Sequence, residues 1–200
     1  MGFPDFFDAV PGIVLRDSLA EFLGAAEGGL IEYRYADAVR LAGHSCPTVA
    51  GAYLLTCRAL RALYGEAVPE RGGLRVDFRD ARANGVTGVI AGVVGLLTGA
   101  AGDGGFKGLA GRFSRRDLLA FEIEVPGEIR FTRLDSGAAV TATLQLAHVP
   151  ADPRMGGLLQ RILAGEGDAP MLQEFATLWQ ERVRRILIEH FDDPRLVALA

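Results

Sequence analysis

The chain has 200 residues, of which half are hydrophobic and 23% are charged, with a formal net charge of −4 at pH 7. This balance predicts one domain over 1–200, with a core at about 35–150 and a helical extension at about 151–200. No basic run is interleaved with aromatic residues, which argues against a nucleic-acid partner. Two cysteines are too few for a disulfide framework, and no basic region precedes the first apolar stretch, so we expect a reduced, cytoplasmic protein.

The first half of the sequence is predicted to be mainly helical after an irregular start over residues 1–14. Apolar residues recur at helical spacing, and a glycine follows each run, which is typical of a helix end. The predicted elements are helices over about 17–23, 33–42 and 47–64, and then a strand over 74–78, where apolar and polar residues alternate.

An uncharged, glycine-rich segment at 85–102 is about long enough to span a membrane. Its hydrophobic density is low and no second candidate span occurs, so we interpret it as an internal helix over about 86–98 and expect no membrane association. Glycines four residues apart share one face of this helix, which predicts that another backbone packs closely against that face.

The second half of the sequence is predicted to contain strands and one long helix. Turn signals separate three strands, and Asp168 is predicted to cap a helix that continues to about Phe191. The strands are predicted at 117–125, 128–134 and 138–146. The resulting order, α-β-α-β-β-β with helices added at both ends, is typical of an α+β fold with a mixed or antiparallel sheet covered by helices.

The motif Gly43-His44-Ser45-Cys46-Pro47-Thr48 carries the clearest chemical signal. Proline is favoured in the first turn of a helix, because its missing N–H would find no partner there anyway. Cys46 is therefore predicted to be the N-cap, where free N–H groups and the helix dipole favour a thiolate. His44 can reach the same point in space. Imidazole and thiolate together suit zinc or another divalent transition metal.

The remaining ligands of such a site are left open by the sequence. Structural zinc sites use four protein ligands and catalytic sites use three plus water, so two are too few. A third ligand could come from Asp77, Asp80, His148, His190 or a partner chain. Ordinary roles are also available, since His148 ends a predicted strand and His190 suits the negative end of a helix dipole.

The Gly-His-Ser-Cys-Pro sequence at the start of a helix resembles the Gly-His-x-Cys-Pro motif of the FmdE-like family, which comprises the E component of formylmethanofuran dehydrogenase and its stand-alone relatives. The helix-strand-helix order after it is also similar, and the resemblance covers about residues 35–135. It implies an α+β core with a mixed sheet, a zinc site that uses His44 and Cys46, and a homodimer. The chain departs from the family in having no cysteine between the strand and the second helix, and no cysteine-rich zinc ribbon at its end.

The loop over 99–108 is a candidate wall of a small-molecule pocket. It is not a phosphate-binding loop of the Walker type, because no Gly-Lys-Ser or Gly-Lys-Thr occurs and a helix precedes it. Family members carry a lysine in the corresponding loop. We therefore expect Asp103 and Lys107 to bind a ligand beside His44 and Cys46, with Lys107 facing an anionic group.

These observations predict a metal-binding protein of the FmdE-like type with a small-molecule pocket at the metal. One alternative is a metal-free thiol enzyme with Cys46 as nucleophile and His44 as base. Another is a non-catalytic component of a redox complex, so the sequence does not decide whether the protein is an enzyme. The last helix carries apolar residues beyond its inner face, namely Leu178, Leu187 and Ile188, which also favours a homodimer.

Overall fold

The computed structural model describes residues 2–200 and has the α+β architecture that the sequence predicts. Two sheets are present, one of two strands and one of five, and the larger sheet is mixed. The helices are α1 (Phe6–Ala9), α2 (Ser18–Phe22), α3 (Tyr35–Ala42), α4 (Pro47–Tyr64), α5 (Thr87–Thr98), α6 (Met155–Arg161) and α7 (Ala169–Arg184). The strands are β1 (Ile13–Arg16), β2 (Leu30–Tyr33), β3 (Leu74–Phe78), β4 (Leu119–Ala120), β5 (Ile129–Arg133), β6 (Ala139–Leu144) and β7 (Val197–Leu199).

The five-stranded sheet has the order β4-β3-β5-β6-β7. Strands β3 and β4 are parallel, and all other neighbours are antiparallel. Of the segment predicted as a strand at 117–125, only β4 is a strand, and it does not pair with the next strand in the sequence, because β4 and β5 lie on opposite sides of β3. The chain crosses from one side of β3 to the other through the segment that the Pro126-Gly127 turn signal occupies.

Helix α4 occupies the middle of the core, and its observed bounds are those predicted. Cys46 is its N-cap and Pro47 its first residue, while Gly65 closes it with φ of +57°. Burial extends around most of the helix, from Val49 to Leu60. Because both end signals are local in the sequence, this helix is well defined before any tertiary contact is considered.

Helices α4 and α5 contact each other and run in the same direction relative to the sheet. Near the last turn of α4, Arg133 donates from Nη1 to the carbonyl of Leu63, and Arg133 pairs with Leu74 at the start of β3. The N–H of Gly72, two residues before that strand, donates to the carbonyl of Thr98 in the last turn of α5. Both helices therefore begin at the other end of the sheet, where β3 ends.

Three strands were not predicted from the sequence. Residues 1–14 are not irregular throughout, because α1 and the start of β1 lie there, and β1 pairs with β2 in a two-stranded sheet. Strand β7, close to the end of the described chain, pairs with β6. Each is three or four residues long and depends on a partner distant in sequence, which leaves little local pattern to recognise.

Backbone from the flanking loops approaches α5 at two of its glycines, but not at all of them. A methyl group at Gly88 would lie 3.0 Å from the carbonyl oxygen of Arg82, and one at Gly95 would lie 3.1 Å from that of Ala100. A methyl group at Gly92 would meet nothing within 4 Å, and this residue is exposed. The buried face of α5 instead carries Val93, Val94 and Leu97. No helix within residues 2–200 combines the length and the apolar character that a membrane crossing requires.

The apolar residues that favoured a homodimer are less exposed than expected. Leu187 is fully buried, and Leu178 and Ile188 are half-buried. Leu172, which helical spacing predicts on the inner face of the last helix, is 49% exposed. The helix begins as predicted at the Asp168 cap, but a π-helical turn from Arg185 to Glu189 shifts the buried face near its end.

Candidate functional site

The loop that carries His44 and Cys46 is held by side chains from α3 and α7. The Ser45 hydroxyl donates to Oε1 of Gln180 at 2.9 Å, and since its one proton is used there, the Tyr35 hydroxyl donates to Ser45. The Ser45 carbonyl accepts hydrogen bonds from Nε1 of Trp179 and from Nε2 of Gln180. Burial raises the pKa of Tyr35, so this hydroxyl stays a proton donor at neutral pH. The loop therefore has a fixed backbone path.

Cys46 lies at the N-terminus of α4, as predicted. Its Sγ accepts the N–H of Val49 at 3.4 Å, and the residue is 9% exposed. By contrast, Cys57 in the middle of α4 is completely buried, and burial raises the pKa of its thiol to about 12. Cys57 is thus inert, whereas Cys46 lies at a helix end and is slightly exposed.

His44 is exposed and already has one ring nitrogen engaged. Its Nδ1 lies 3.0 Å from the carbonyl oxygen of Ala42. Because a carbonyl only accepts hydrogen bonds, Nδ1 carries the proton and Nε2 offers its lone pair. This is the usual arrangement of a metal-binding histidine, whose other N–H is fixed by a carbonyl or carboxylate.

Among residues 2–200, no third side chain joins His44 and Cys46 in a cluster with metal-binding geometry. Asp77 accepts a hydrogen bond from Arg75, and Asp80 lies between Arg79 and Asn84. The two other candidate ligands, His148 and His190, lie close to each other and share Asp193 as a partner. None of the candidate third ligands that the sequence offers is therefore placed beside His44 and Cys46.

A cleft of about 290 Å³ opens at the end of β3 beside the start of α5, and neither His44 nor Cys46 lines it. Leu144 and Leu146 form part of its wall and also approach Gly51 of α4. Gly51 follows Cys46 by five residues, which is roughly 7.5 Å along a helix axis. The other lining residues are Phe78, Asp80, Asn84, Gly85, Val86, Thr87, Ile90, Glu128 and Ile129. The cleft thus combines an apolar wall with two carboxylates, and it lies at the Cys46 end of the helices.

The loop at 99–108 lies at the other end, because it follows the last turn of α5. Within one chain the structure does not bring Asp103 and Lys107 together with His44 and Cys46. Lys107 is exposed, while Asp103 accepts the N–H of Gly104 and forms part of a separate groove along the glycines of α5. A pocket that combines this loop with the His44 loop of a second copy of the chain stays a prediction.

Sequence reasoning missed Asp193, the residue that joins His148 and His190. The three residues are spread over 46 positions and come from two turns that are distant in sequence. The only local signal is His190 with Asp193 three residues later, a spacing that occurs often without chemical meaning. The convergence appears only when β7 pairs with β6.

No protein-family model matches this chain, and no curated protein matches it. The resemblance to the FmdE-like family consists of the His-x-Cys-Pro motif and the order of the elements around it.

Proposed function

We propose that this protein binds zinc or a related divalent transition metal through Nε2 of His44 and Sγ of Cys46, in the manner that its resemblance to the FmdE-like family implies. The observation that supports this most directly is the orientation of His44. Its Nδ1–H is fixed on the Ala42 carbonyl, which leaves Nε2 as a free ligand two residues before a capping thiol. The free cysteines agree with a reducing compartment, which we propose is the cytoplasm.

The ligand count favours a homodimer. Two protein ligands are too few for a stable zinc site, and none of residues 2–200 adds a third to this pair. A second copy of the chain is the simplest source of the remaining protein ligands. This argument replaces the one from exposed apolar residues on the last helix, because Leu187 is buried there.

The cleft at the end of β3 is the best candidate for the small-molecule pocket. Its apolar wall suits a hydrocarbon or aromatic body, while Asp80 and Glu128 suit a hydrogen-bond donor or a cation on the ligand. Leu144 donates its N–H to Oε2 of Glu128 at 2.8 Å, which fixes that carboxylate. When bound, the metal would supply Lewis-acid polarisation of a carbonyl or a water molecule. The residues of the cleft would bind and orient the molecule that carries it.

The test is elemental analysis of protein purified without a polyhistidine tag and without chelator. Wild type should retain about one equivalent of zinc more than Cys46→Ser or His44→Gln, while Cys57→Ala should retain as much as wild type. A serine can also cap a helix, so Cys46→Ser should keep the fold. Equal zinc in the wild type and in Cys46→Ser would refute the proposal.

Light scattering with and without a chelator tests the source of the missing ligands. If a second copy supplies them, the wild type should have twice the mass of one chain, and removal of the metal should weaken the dimer. A monomer that still binds zinc would point to a small molecule as the additional ligand.

The thiol-enzyme alternative requires that the thiol of Cys46 is accessible to a substrate. A nucleophile must be reachable, but this residue is only 9% exposed. Metal-free protein that reacts rapidly with iodoacetamide at Cys46, and that binds no zinc, would favour this alternative. The same labelling experiment on Cys46→Ser gives the background, because Cys57 is completely buried.

A further inference from the structure

Two turns at one edge of the five-stranded sheet bring His148, His190 and Asp193 together. His148 ends the 3₁₀ turn after β6, His190 follows the last turn of the long C-terminal helix, and Asp193 lies in the turn before β7. Asp193 Oδ2 is 2.9 Å from Nδ1 of His190 and 3.3 Å from Nε2 of His148. One ligand atom from each residue lies within 4.8 Å of the other two. Within the described chain, this is the only group of three such residues.

The backbone on both sides of this cluster is fixed by arginines. Arg182 donates to the carbonyls of Leu146 and Val149, and Arg185 donates to the carbonyl of Pro150. These bonds tie the turn that carries His148 to helix α7.

Asp193 and His190 are fixed in the same way. Nη1 of Arg58 in α4 donates to the carbonyl of Asp193 at 2.7 Å, and the N–H of Asp193 donates to the carbonyl of His190. The three side chains therefore start from positions that are defined without any ion, which lowers the cost of ordering a ligand set.

We propose that His148, His190 and Asp193 form a second divalent metal site, independent of His44 and Cys46. Two imidazoles and one carboxylate suit zinc, cobalt or iron, and the set contains no thiolate. Ligand atoms about 2.0–2.1 Å from a tetrahedral ion are roughly 3.3 Å apart, and the two separations from Oδ2 of Asp193 are 2.9 and 3.3 Å. An ion at this position would displace the proton that Nδ1 of His190 donates to Asp193, so binding should release a proton. The two imidazoles are a quarter or more exposed, so water completes the coordination on the open side.

Arg195 is the competitor of the metal. It donates from its N–H and Nε to Oδ1 of Asp193 and from Nη2 to Oδ2. These bonds, together with that from His190, hold the pKa of Asp193 well below its ordinary range, so the carboxylate is ionised. The Arg195 side chain is 70% exposed and can turn into solvent when an ion binds Oδ2. Its removal should therefore strengthen metal binding.

The test is titration of chelator-treated protein with Co²⁺, followed by visible absorption. In the Cys46→Ser variant the first site is disabled, and the second site should still bind about one equivalent and give d–d bands without thiolate charge transfer. His190→Gln in that background should weaken this binding at least about tenfold, because a ligand is lost. Arg195→Gln should tighten it.

Asp152 provides a matched control, because its carboxylate accepts the same set of hydrogen bonds from Arg154 that Asp193 accepts from Arg195. Asp152→Asn in the same background changes a carboxylate outside the cluster and should leave the d–d bands unchanged. Circular dichroism of each variant establishes that it is folded.

Two results would overturn the proposal: no cobalt absorption in Cys46→Ser at millimolar Co²⁺, or absorption that His190→Gln and Asp152→Asn reduce equally. Neither result bears on the first site, whose thiolate charge-transfer band is read in the protein with Cys46 intact.

Discussion

Asp17 and Asp193 occupy similar positions in the architecture but have different neighbours. Each carboxylate is nearly buried, with 6% and 10% of the side chain exposed, and each joins three segments of the chain. Asp17 caps α2 and accepts hydrogen bonds from Nη1 of Arg71 and from Nη2 of Arg115. Around Asp193 the corresponding positions are taken by two histidines, with Arg195 on the solvent side.

The difference shows that a nearly buried carboxylate can have two chemical roles, depending on whether its partners are arginines or histidines. An arginine remains charged at any physiological pH and cannot ligate a metal, so the Asp17 junction can only hold segments together. Neutral histidines have a lone pair to give, so the Asp193 junction can hold segments together and also bind an ion. Burial follows the same division, since Arg115 is 10% exposed and Arg195 is 70% exposed.

The largest effect should come from neutralising the buried junction. Asp17→Asn leaves Arg71 and Arg115 without their carboxylate in a site where charge is costly, so we expect a loss of about 3–5 kcal/mol in the free energy of unfolding. Urea denaturation measures it. Asp152→Asn, which also removes a carboxylate paired with an arginine but at the exposed surface, should change the urea midpoint little. A loss of stability at Asp17 as small as that at Asp152 would contradict the view that the Asp17 carboxylate holds the fold together.

The same contrast explains what could be predicted from the sequence. The helix at about 17–23, the cap formed by Cys46 before Pro47, and the bounds of α4 depend on neighbours within a few residues, and the structure confirms them. The carboxylate-arginine junction itself was not predicted, because Asp17 and Arg115 are 98 residues apart.

The pairing of the strands could not be predicted from the sequence for the same reason. The strand at 74–78 alternates regularly and was predicted, whereas β4 is two residues long and owes its existence to β3. The His148 cluster depends on the pairing of β6 with β7, which no local pattern indicates. Motifs that lie within one turn can be recognised early, while sites assembled from several turns require the fold.

A second prediction tests how tightly the Asp17 junction is built. Gly72 has φ of +84°, and a methyl group there would overlap the guanidinium of Arg115. Gly72→Ala should therefore cost about 2–4 kcal/mol, the sum of a left-handed backbone penalty and a weakened ion pair. Gly137→Ala is the matched control, because Gly137 has φ of +72° with nothing within 4 Å. The control should lose only about 1–2 kcal/mol, and equal losses would show that Arg115 adapts freely.

A third prediction concerns acid. Burial raises the pKa of Asp17, but hydrogen bonds from Arg71 and the Ala20 N–H, and the nearby arginine charges, outweigh it and leave the pKa below its ordinary value. A carboxyl with a lowered pKa contributes stability that is complete above about pH 4 and is lost as the pH falls through the folded-state value. The urea midpoints of wild type and Asp17→Asn should therefore converge as the pH falls from about 7 to about 3. A constant difference across that range would contradict the assignment.

The smallest effect should come from Asp193→Asn in metal-free protein. The partners of Asp193 are partly exposed, so water can replace the lost carboxylate, and Arg195 simply turns into solvent. The shift in the urea midpoint should be no more than roughly a third of that for Asp17→Asn. The effect of Co²⁺ is measured in the Cys46→Ser background, where the first site is disabled. Cobalt should raise the urea midpoint of Cys46→Ser itself and of its combination with Asp17→Asn. It should not raise the midpoint of the combination with Asp193→Asn. A metal-free loss at Asp193 as large as that at Asp17 would mean that its histidines serve as structural partners in the same sense as the arginines.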